Sequence, residues 1–378
     1  MRVGILTMHR VLNHGSALQA YALQKKVSDM GYTCELIDYI YPYKLRQSPL
    51  KLLFTSVFAF IRDACVGFAQ TRKRKKFKTF YKDNFVLTPE TYDRQGIVDN
   101  PPMFDLYLSG SDQVWNPRFI GDDVNFMLAF TPDNALRMSY ASSFATRTIE
   151  PEKKELFSKY LSRYDAISVR ESSGVHLVKE LTGKDAVLCC DPTLLLGKNE
   201  WDRIAGQSSY RIKEKYILVH VLFYMFDPYP YIYDIVEKVQ KELGYKAIYL
   251  VGRTQDAFRP NSTLIKSAGP ADFAYLFKNA GFVITSSFHG TAFALINDKP
   301  LLGVVDTKSN QDSRIQSLLE SVSAHRCILD YKGTVELDSS ALLRLKGDQK
   351  ALSNLIHSSE SFLKNGLSSL TDTCGPLS

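Results

Sequence analysis

The sequence predicts an α/β protein made of two doubly wound, Rossmann-like domains that face each other across a central cleft. Three observations carry this. Short apolar β-runs alternate with segments of helical period in both halves of the chain, which implies parallel sheets. The length of 378 residues fits two domains at about 150 residues each. The alternation breaks near Asp191–Trp201, where an Asp-Pro step and a Gly-Lys-Asn run read as a junction.

In the first half, Arg2–Thr7, Thr33–Tyr39, Asp105–Ser109, Arg137–Ser142, Ala166–Val169 and Ala186–Cys190 read as strands, rich in Val, Ile, Leu and Tyr. Ala20, Leu23, Val27 and Met30 mark one apolar helix face between the first two, and Gly31 stops that helix. In the second half, Tyr216–Phe223, Lys246–Val251, Phe282–Thr285 and Pro300–Val305 read as strands. Ile232, Ile235, Val236, Val239 and Leu243 form a helix face that closes at Gly244. The expected domains are 1–195 and 196–350, with a helical basic excursion at about 50–82 and a C-terminal helix and tail over 351–378. There is no internal repeat and no long low-complexity tract.

Composition bounds the function less tightly. At 45% hydrophobic and 23% charged, the chain has the make-up of a soluble globular protein. Its net charge of +7 suits acidic small molecules, an anionic surface or nucleic acid alike. The six cysteines are scattered without a C-x-x-C pair, so neither a zinc site nor a disulfide framework is indicated, and no other metal-ligand set stands out. MRVGILTM runs directly into a strand without the basic and apolar regions of a signal peptide, so a cytoplasmic location is expected.

The segment Leu50–Phe68 is apolar but interrupted by Arg62–Asp63, too broken to span a bilayer. The run at Thr71–Lys78 follows, with six basic residues in eight. It reads as a solvated helix face or as a site of peripheral contact with an anionic inner membrane face. No nucleic-acid motif accompanies it, so nucleic acid is not an expected partner.

Five turns that follow strands hold the candidate functional residues. The richest lies in Gly281–Val305, where strand, tight turn and buried helix succeed one another, with Ser286, Ser287, His289 and Gly290 in the turn. The first amides of such a helix lack intrahelical acceptors and favour an anion. Two hydroxyls and an imidazole beside them suit an anionic substrate and proton transfer. The competing reading is a serine cap, a turn glycine and an exposed histidine. After the first strand, Asn13 and Gly15 either approach a ligand or cap a helix. In Ser109-Gly110-Ser111-Asp112-Gln113-Val114-Trp115, Asp112 is a candidate general base or a cap. Trp115 is a candidate sugar-stacking face or core. Arg170, ending another strand, offers a planar fork to a carboxylate or phosphate, or else pairs locally with Glu171. Tyr229 and Tyr231, in a proline-rich turn with Tyr224 and Phe226 just before it, read as a sugar platform or as a packed turn.

Taken in order, these elements resemble the polysaccharide pyruvyltransferase family. They are Asn13-x-Gly15 followed by LQAYALQ, SGSDQVWNP at 109–117, SYASSFA at 139–145, SVRE at 168–171, DPTLLL at 191–196, and SSFHGTAFAL at 286–295 preceded by Gly269-Pro270. The resemblance spans about 300 residues and is most specific in SGSDQVW and SSFHGTAF. It implies a fold similar to GT-B glycosyltransferases. The implied activity is transfer of pyruvate from phosphoenolpyruvate to two hydroxyls of a sugar, forming a ketal in cell-surface glycan synthesis. The implied partners are phosphoenolpyruvate as donor substrate, with no further cofactor, and a glycan or lipid-linked sugar acceptor. The implied donor-site residues are Arg170 and His289. Some relatives carry an acidic Gly-Asp pair in the first glycine turn; here the turn is Asn13-His14-Gly15, which leaves Asp112 as the stand-in acid. Two rivals stand beside this reading: a nucleotide-sugar glycosyltransferase, since fold does not fix function, and a non-catalytic glycan-binding relative.

Overall fold

A computed structural model describes residues 1–41, 68–222, 226–308, 314–336 and 338–372. Two parallel sheets organise the chain. The first has the order β3-β2-β1-β4-β5-β6-β7. Its strands are β1 (Arg2–Leu6), β2 (Thr33–Tyr39), β3 (Leu87–Tyr92), β4 (Leu106–Asp112), β5 (Leu136–Ser142), β6 (Ser168–Val169) and β7 (Val187–Leu188). The second has the order β10-β9-β8-β11-β12-β13, built from β8 (Tyr216–His220), β9 (Lys246–Leu250), β10 (Ser262–Ile265), β11 (Phe282–Thr285), β12 (Leu301–Val305) and β13 (Ile328–Asp330). Every described pairing is parallel, which demands crossovers and covers both sheet faces. This explains why the central strands read as unbroken apolar runs; β8 and β12 are buried at every position.

Edge strands escape the sequence pattern. Strand β3, LTPETY, contains Pro89 and Glu90 and has three exposed residues in the middle. Proline and charge are tolerated there because an edge strand leaves one side of its backbone unpaired. Strands β10 and β13 are likewise terminal in their sheet.

The helices that place the site are α1 (His14–Asp29), α2 (Ala69–Asn84), α3 (Pro151–Leu161), α4 (Ser172–Thr182), α5 (Lys198–Gly206), α6 (Tyr231–Leu243), α7 (Pro270–Asn279), α8 (Phe288–Ile296), α9 (Arg314–Ser321) and α10 (Gln349–Asp372). The two sheets are joined after β7 by a welded junction. Trp201 of α5 meets Phe293 of α8 edge-to-face at 4.8 Å and Tyr21 of α1 at 6.2 Å, so one apolar core runs across both domains. Helix α10 starts on the second domain, Gln349 donating to Asp298 at 3.2 Å, and packs its later turns on the first. Leu363 and Leu367 are fully buried, Ser359 Oγ accepts the Cys190 amide at 2.9 Å, and Gly366 lies against Met138 of β5.

The basic run falls on α2 and is only partly solvated. Lys73, Phe77 and Phe80 face inward, and Lys76 pairs with Asp272 of α7 at 2.7 Å. Arg72, Arg74, Lys75 and Lys78 remain on the exposed face. The apolar segment preceding α2 lies outside the described residues up to Phe68. No helix among the described residues is long and apolar enough to cross a membrane.

Candidate active site

Strand order reverses between β1 and β4 in the first sheet and between β8 and β11 in the second. Ligands of doubly wound sheets bind outside the strand C-termini at such switch points. The candidate residues come from these ends and from the neighbouring end of β6.

In the first domain, Asn13 caps α1, its Oδ1 accepting the amides of Gly15 at 2.8 Å and Ser16 at 3.3 Å. Gly15 is required by close approach: a Cβ there would overlap Nδ1 of His289. Ser16 Oγ donates to Asp112 Oδ2 at 2.6 Å. Asp112 closes β4 with φ at 72°, a left-handed conformation uncommon for any residue but glycine and asparagine-like side chains, and such outliers gather at functional sites. Gly110, at φ 111°, precedes it where a Cβ would collide with the Tyr140 carbonyl.

In the second domain, Ser287 caps α8, its Oγ accepting the Gly290 amide at 3.3 Å. The helix is FHGTAFALI, buried through Leu295, and it aims its first turn at the first domain. His289 is therefore not an exposed turn residue but 7% accessible.

The two halves meet at Arg170. Its Nη1 donates to Asp191 Oδ2 at 2.7 Å and lies 3.5 Å from His289 Nε2, while Nη2 donates to Asp112 Oδ1 at 3.1 Å. Its guanidinium sits 4.2 Å from the Phe288 ring centre, a cation–π contact. His289 Nε2 is 3.4 Å from Asp191 Oδ2. A carboxylate at that distance favours the tautomer with a proton on Nε2, an assignment made from the network. Burial works against ionisation of both aspartates. For Asp191 it is outweighed by His289, Arg170 and the Thr193 amide, and the carboxyl is held well below its ordinary range. For Asp112, Arg170, His289 and the Ser16 hydroxyl do the same. Both are standing carboxylates, so Asp112 fits poorly as the acid that replaces the missing Gly-Asp pair.

Several sequence expectations are corrected here. Trp115 is fully buried, at 5.3 Å from Phe144 and 5.6 Å from Tyr164, so no sugar reaches its face. Ser109 is fully buried, its Oγ accepting from the Tyr164 hydroxyl at 2.9 Å. Gly110 shapes the backbone through its positive φ against the Tyr140 carbonyl. Ser111 donates to the Ala141 carbonyl at 2.8 Å and reaches Asp191 at 3.4 Å, so it buttresses the carboxylate. Ser286 spans the backbone of Leu222, accepting from its N–H and donating to its carbonyl, each at 2.9 Å. Glu171 does not pair with Arg170 at the surface. It is fully buried and Oε1 accepts the amides of Phe144 and Ala145, with burial raising its carboxyl. The Arg170 fork is filled by two aspartates instead of standing open. The proline-rich turn is packed, with Tyr229 buried and donating to Asp256 at 3.1 Å, while Tyr224 lies outside the described residues.

Asp191 and Ser16 were missed as site residues. Asp191 caps the short helix Pro192–Leu195, its Oδ1 accepting the Thr193 amide at 3.0 Å; in sequence it reads as a boundary step and as the start of the DPTLLL element, with no site role attached. His14, which the sequence shows only as part of the first turn, Lys73, which it shows only as part of the basic run, and His220 are buried in the adjoining interior.

The profile described as polysaccharide pyruvyl transferase matches residues 13–308 of this sequence. The chain belongs to the polysaccharide pyruvyl transferase family. Membership places it among transferases of polysaccharide synthesis. Its fold is similar to solved UDP-N-acetylglucosamine 2-epimerases. That from Rickettsia bellii has a TM-score of 0.55 at 9% identity, covering 98% of this chain and 96% of the other. That from Methanocaldococcus jannaschii in complex with UDP-GlcNAc and UDP has a TM-score of 0.54 at 9% identity, covering 98% and 100%. That from Neisseria meningitidis bound to UDP-GlcNAc has a TM-score of 0.53 at 11% identity, covering 99% of each. The likeness establishes the two-domain GT-B architecture of this pyruvyl transferase family member, and the fold alone. No curated protein matches the sequence.

Proposed function

We propose that this protein transfers pyruvate from phosphoenolpyruvate to two hydroxyls of a sugar, forming a ketal on a glycan or a lipid-linked glycan precursor. The observation that supports it most is the meeting of Arg170 and His289, the two family donor-site residues, at 3.5 Å across the cleft.

In the proposed reaction, the acidic proton of His289 passes to the methylene carbon of the donor. Carbon C2 becomes electrophilic and one sugar hydroxyl attacks it, losing its proton to the site or solvent. The C2–O bond to phosphate breaks with the electron pair leaving on phosphate, and the second hydroxyl closes the ketal with loss of its proton. Diol and phosphoenolpyruvate become the ketal and inorganic phosphate. A placed acid or base contributes roughly 10²–10⁴-fold to such a step. Asp191 holds the imidazole through Nε2, and Gly15 admits the ring against the start of α1. The first-turn amides of α8, with Arg170 behind them, meet the charge that develops on the leaving phosphate. The exposed cations Arg72, Arg74, Lys75 and Lys78 are proposed to meet anionic lipid where a lipid-linked acceptor lies.

Thermal shift with phosphoenolpyruvate, UDP-sugars and free oligosaccharides tests the donor, because a ligand that binds the folded state raises Tm. Stabilisation by phosphoenolpyruvate with phosphate release upon sugar addition is the expected result. Stabilisation by UDP-sugars alone would replace it with the nucleotide-sugar reading.

A further inference from the structure

The catalytic cluster is short of positive charge for a donor carrying both a carboxylate and a phosphate. Arg170 faces two carboxylates, Asp112 and Asp191, so the local sum is negative before His289 is counted. Arg314, close enough to act on Asp112, brings that sum only to about zero.

A second buried cation lies next door. Lys73 points inward from α2 with 7% accessibility, its ammonium 5.5 Å from the Phe77 ring centre. It has no carboxylate and no hydrogen-bond acceptor among the described residues. The Phe77 ring lies 5.3 Å from His14, and His14 lies 6.4 Å from His220. His220 ends β8 with Nδ1 buried and without a hydrogen-bond partner. That nitrogen is 3.1 Å from where a Cβ on Gly290 would stand, against the first turn of α8. The neighbouring residue of that turn is His289. A series of packed rings, Phe77 and then His14, thus leads from an unpaired ammonium to an unsatisfied imidazole that lies against the helix N-terminus. The arrangement is costly without a counter-ion. Burial pushes Lys73 down to about 8, and burial followed by the Lys73 charge pushes His220 down to about 3.

Resting on the donor reading above, we propose that Lys73 and His220 form the second half of the donor site, an anion subsite that takes the carboxylate or the phosphate group lying at the start of α8. Lys73 supplies the charge that the aspartates cancel at Arg170, and His220 supplies a hydrogen bond through its vacant nitrogen. Part of the basic run read from sequence as surface is, on this account, substrate-binding.

The test is calorimetric titration of the full chain with phosphoenolpyruvate, inorganic phosphate and pyruvate, in wild type, Lys73→Met, Lys73→Arg and His220→Gln. Lys73→Met is expected to raise the Kd for phosphoenolpyruvate by tenfold or more and to raise KM far more than it lowers kcat. Lys73→Arg should recover most of the affinity. Without ligand, Lys73→Met should have a higher Tm than wild type, because an unpaired buried charge has become an apolar chain of similar length. A purely structural lysine would show the reverse. The single-anion probe whose binding Lys73→Met abolishes names the group held. If wild type binds phosphoenolpyruvate and Lys73→Met binds it equally well, the subsite falls and the donor reading stands. If inorganic phosphate binds in a Lys73-dependent way but phosphoenolpyruvate does not, the subsite stands and the donor reading falls. If no anion binds wild type, both fall.

Discussion

Arg170 and Lys73 are cations of the same charge, both buried beside one cleft, and the protein treats them in opposite ways. Arg170 has a carboxylate on each terminal nitrogen and an aromatic face beneath it. Lys73 has aromatic rings and neutral imidazoles around it and no carboxylate among the described residues. A paired buried cation is a fixed strut, since removing either partner strands a charge in low dielectric. An unpaired one holds free energy in reserve for an anion that arrives later. The difference predicts that damage at Arg170 shows first in stability and turnover, and damage at Lys73 in affinity.

The largest expected effect comes from breaking the strut at Asp191. Asp191→Ala leaves Arg170 with one carboxylate and takes from His289 the carboxylate 3.4 Å away, and should cost about 3–5 kcal/mol of stability. Asp191→Asn keeps the shape, and its turnover should still fall by roughly 10²-fold or more because the imidazole loses the group that sets its proton. Denaturant melts and steady-state rates decide this; wild-type values for both variants would make Asp191 a bystander.

Next comes Gly15→Ala. The added methyl overlaps the His289 ring and must displace it. Turnover should drop by roughly 10²-fold, matching His289→Gln, while donor affinity changes much less. If the alanine variant turned over normally, His289 would have room to act from another position and the close approach would lose its meaning.

A third prediction sharpens the contrast through pH. His220 is held neutral in the fold, and His14, at its Ala268 carbonyl, is also pushed well down by burial and the Lys73 charge. For a histidine with a depressed folded value, stability is full above the unfolded value near 6.5 and is lost as pH falls toward the folded one. For His220 the window runs from about 6.5 to about 3. Each imidazole should cost up to roughly 1.4 kcal/mol per pH unit across it. Lys73 and His289 are the charges facing His220. The slope of stability between pH 7 and 5 should therefore shrink in His220→Gln, and an unchanged slope would show that His220 charges freely inside the fold.

The smallest effect belongs to the exposed face of α2. Neutralising Arg72, Arg74, Lys75 and Lys78 together should reduce co-sedimentation with anionic vesicles at low salt, and the difference should fade as the Debye length shortens from about 10 Å at 0.1 M. Activity on a soluble sugar should be untouched. Equal sedimentation of variant and wild type would leave those four residues as plain solvated surface.

Much of this molecule was readable without coordinates where local physics decides. Strands β1, β8 and β12 are buried on both faces, so their apolar runs announce them; α6 shows its face through Ile232, Val236 and Val239. The turns holding Arg170 and His289 were legible because a glycine, a cap and a strand end leave marks within a few residues. Strand β3 was not, since Pro89 and Glu90 are acceptable only at a sheet edge, and nothing in LTPETY says where the edge is. Trp115 stays open between stacking face and core for a related reason: an indole looks the same in sequence whether it faces a sugar or Phe144.

The sequence by itself determined two parallel sheets, the turns at their switch points and the residue types gathered there, because backbone period, caps and turn dihedrals are set by neighbours along the chain. Only the tertiary structure decided that Asp191 serves Arg170 and His289, that Gly15 yields its space to an imidazole, and that Lys73 turns inward while Arg72 and Arg74 stay out. Those outcomes depend on how the two domains close over each other. Burial there changes what a charge costs, and a residue's partners come from strands far apart in the chain.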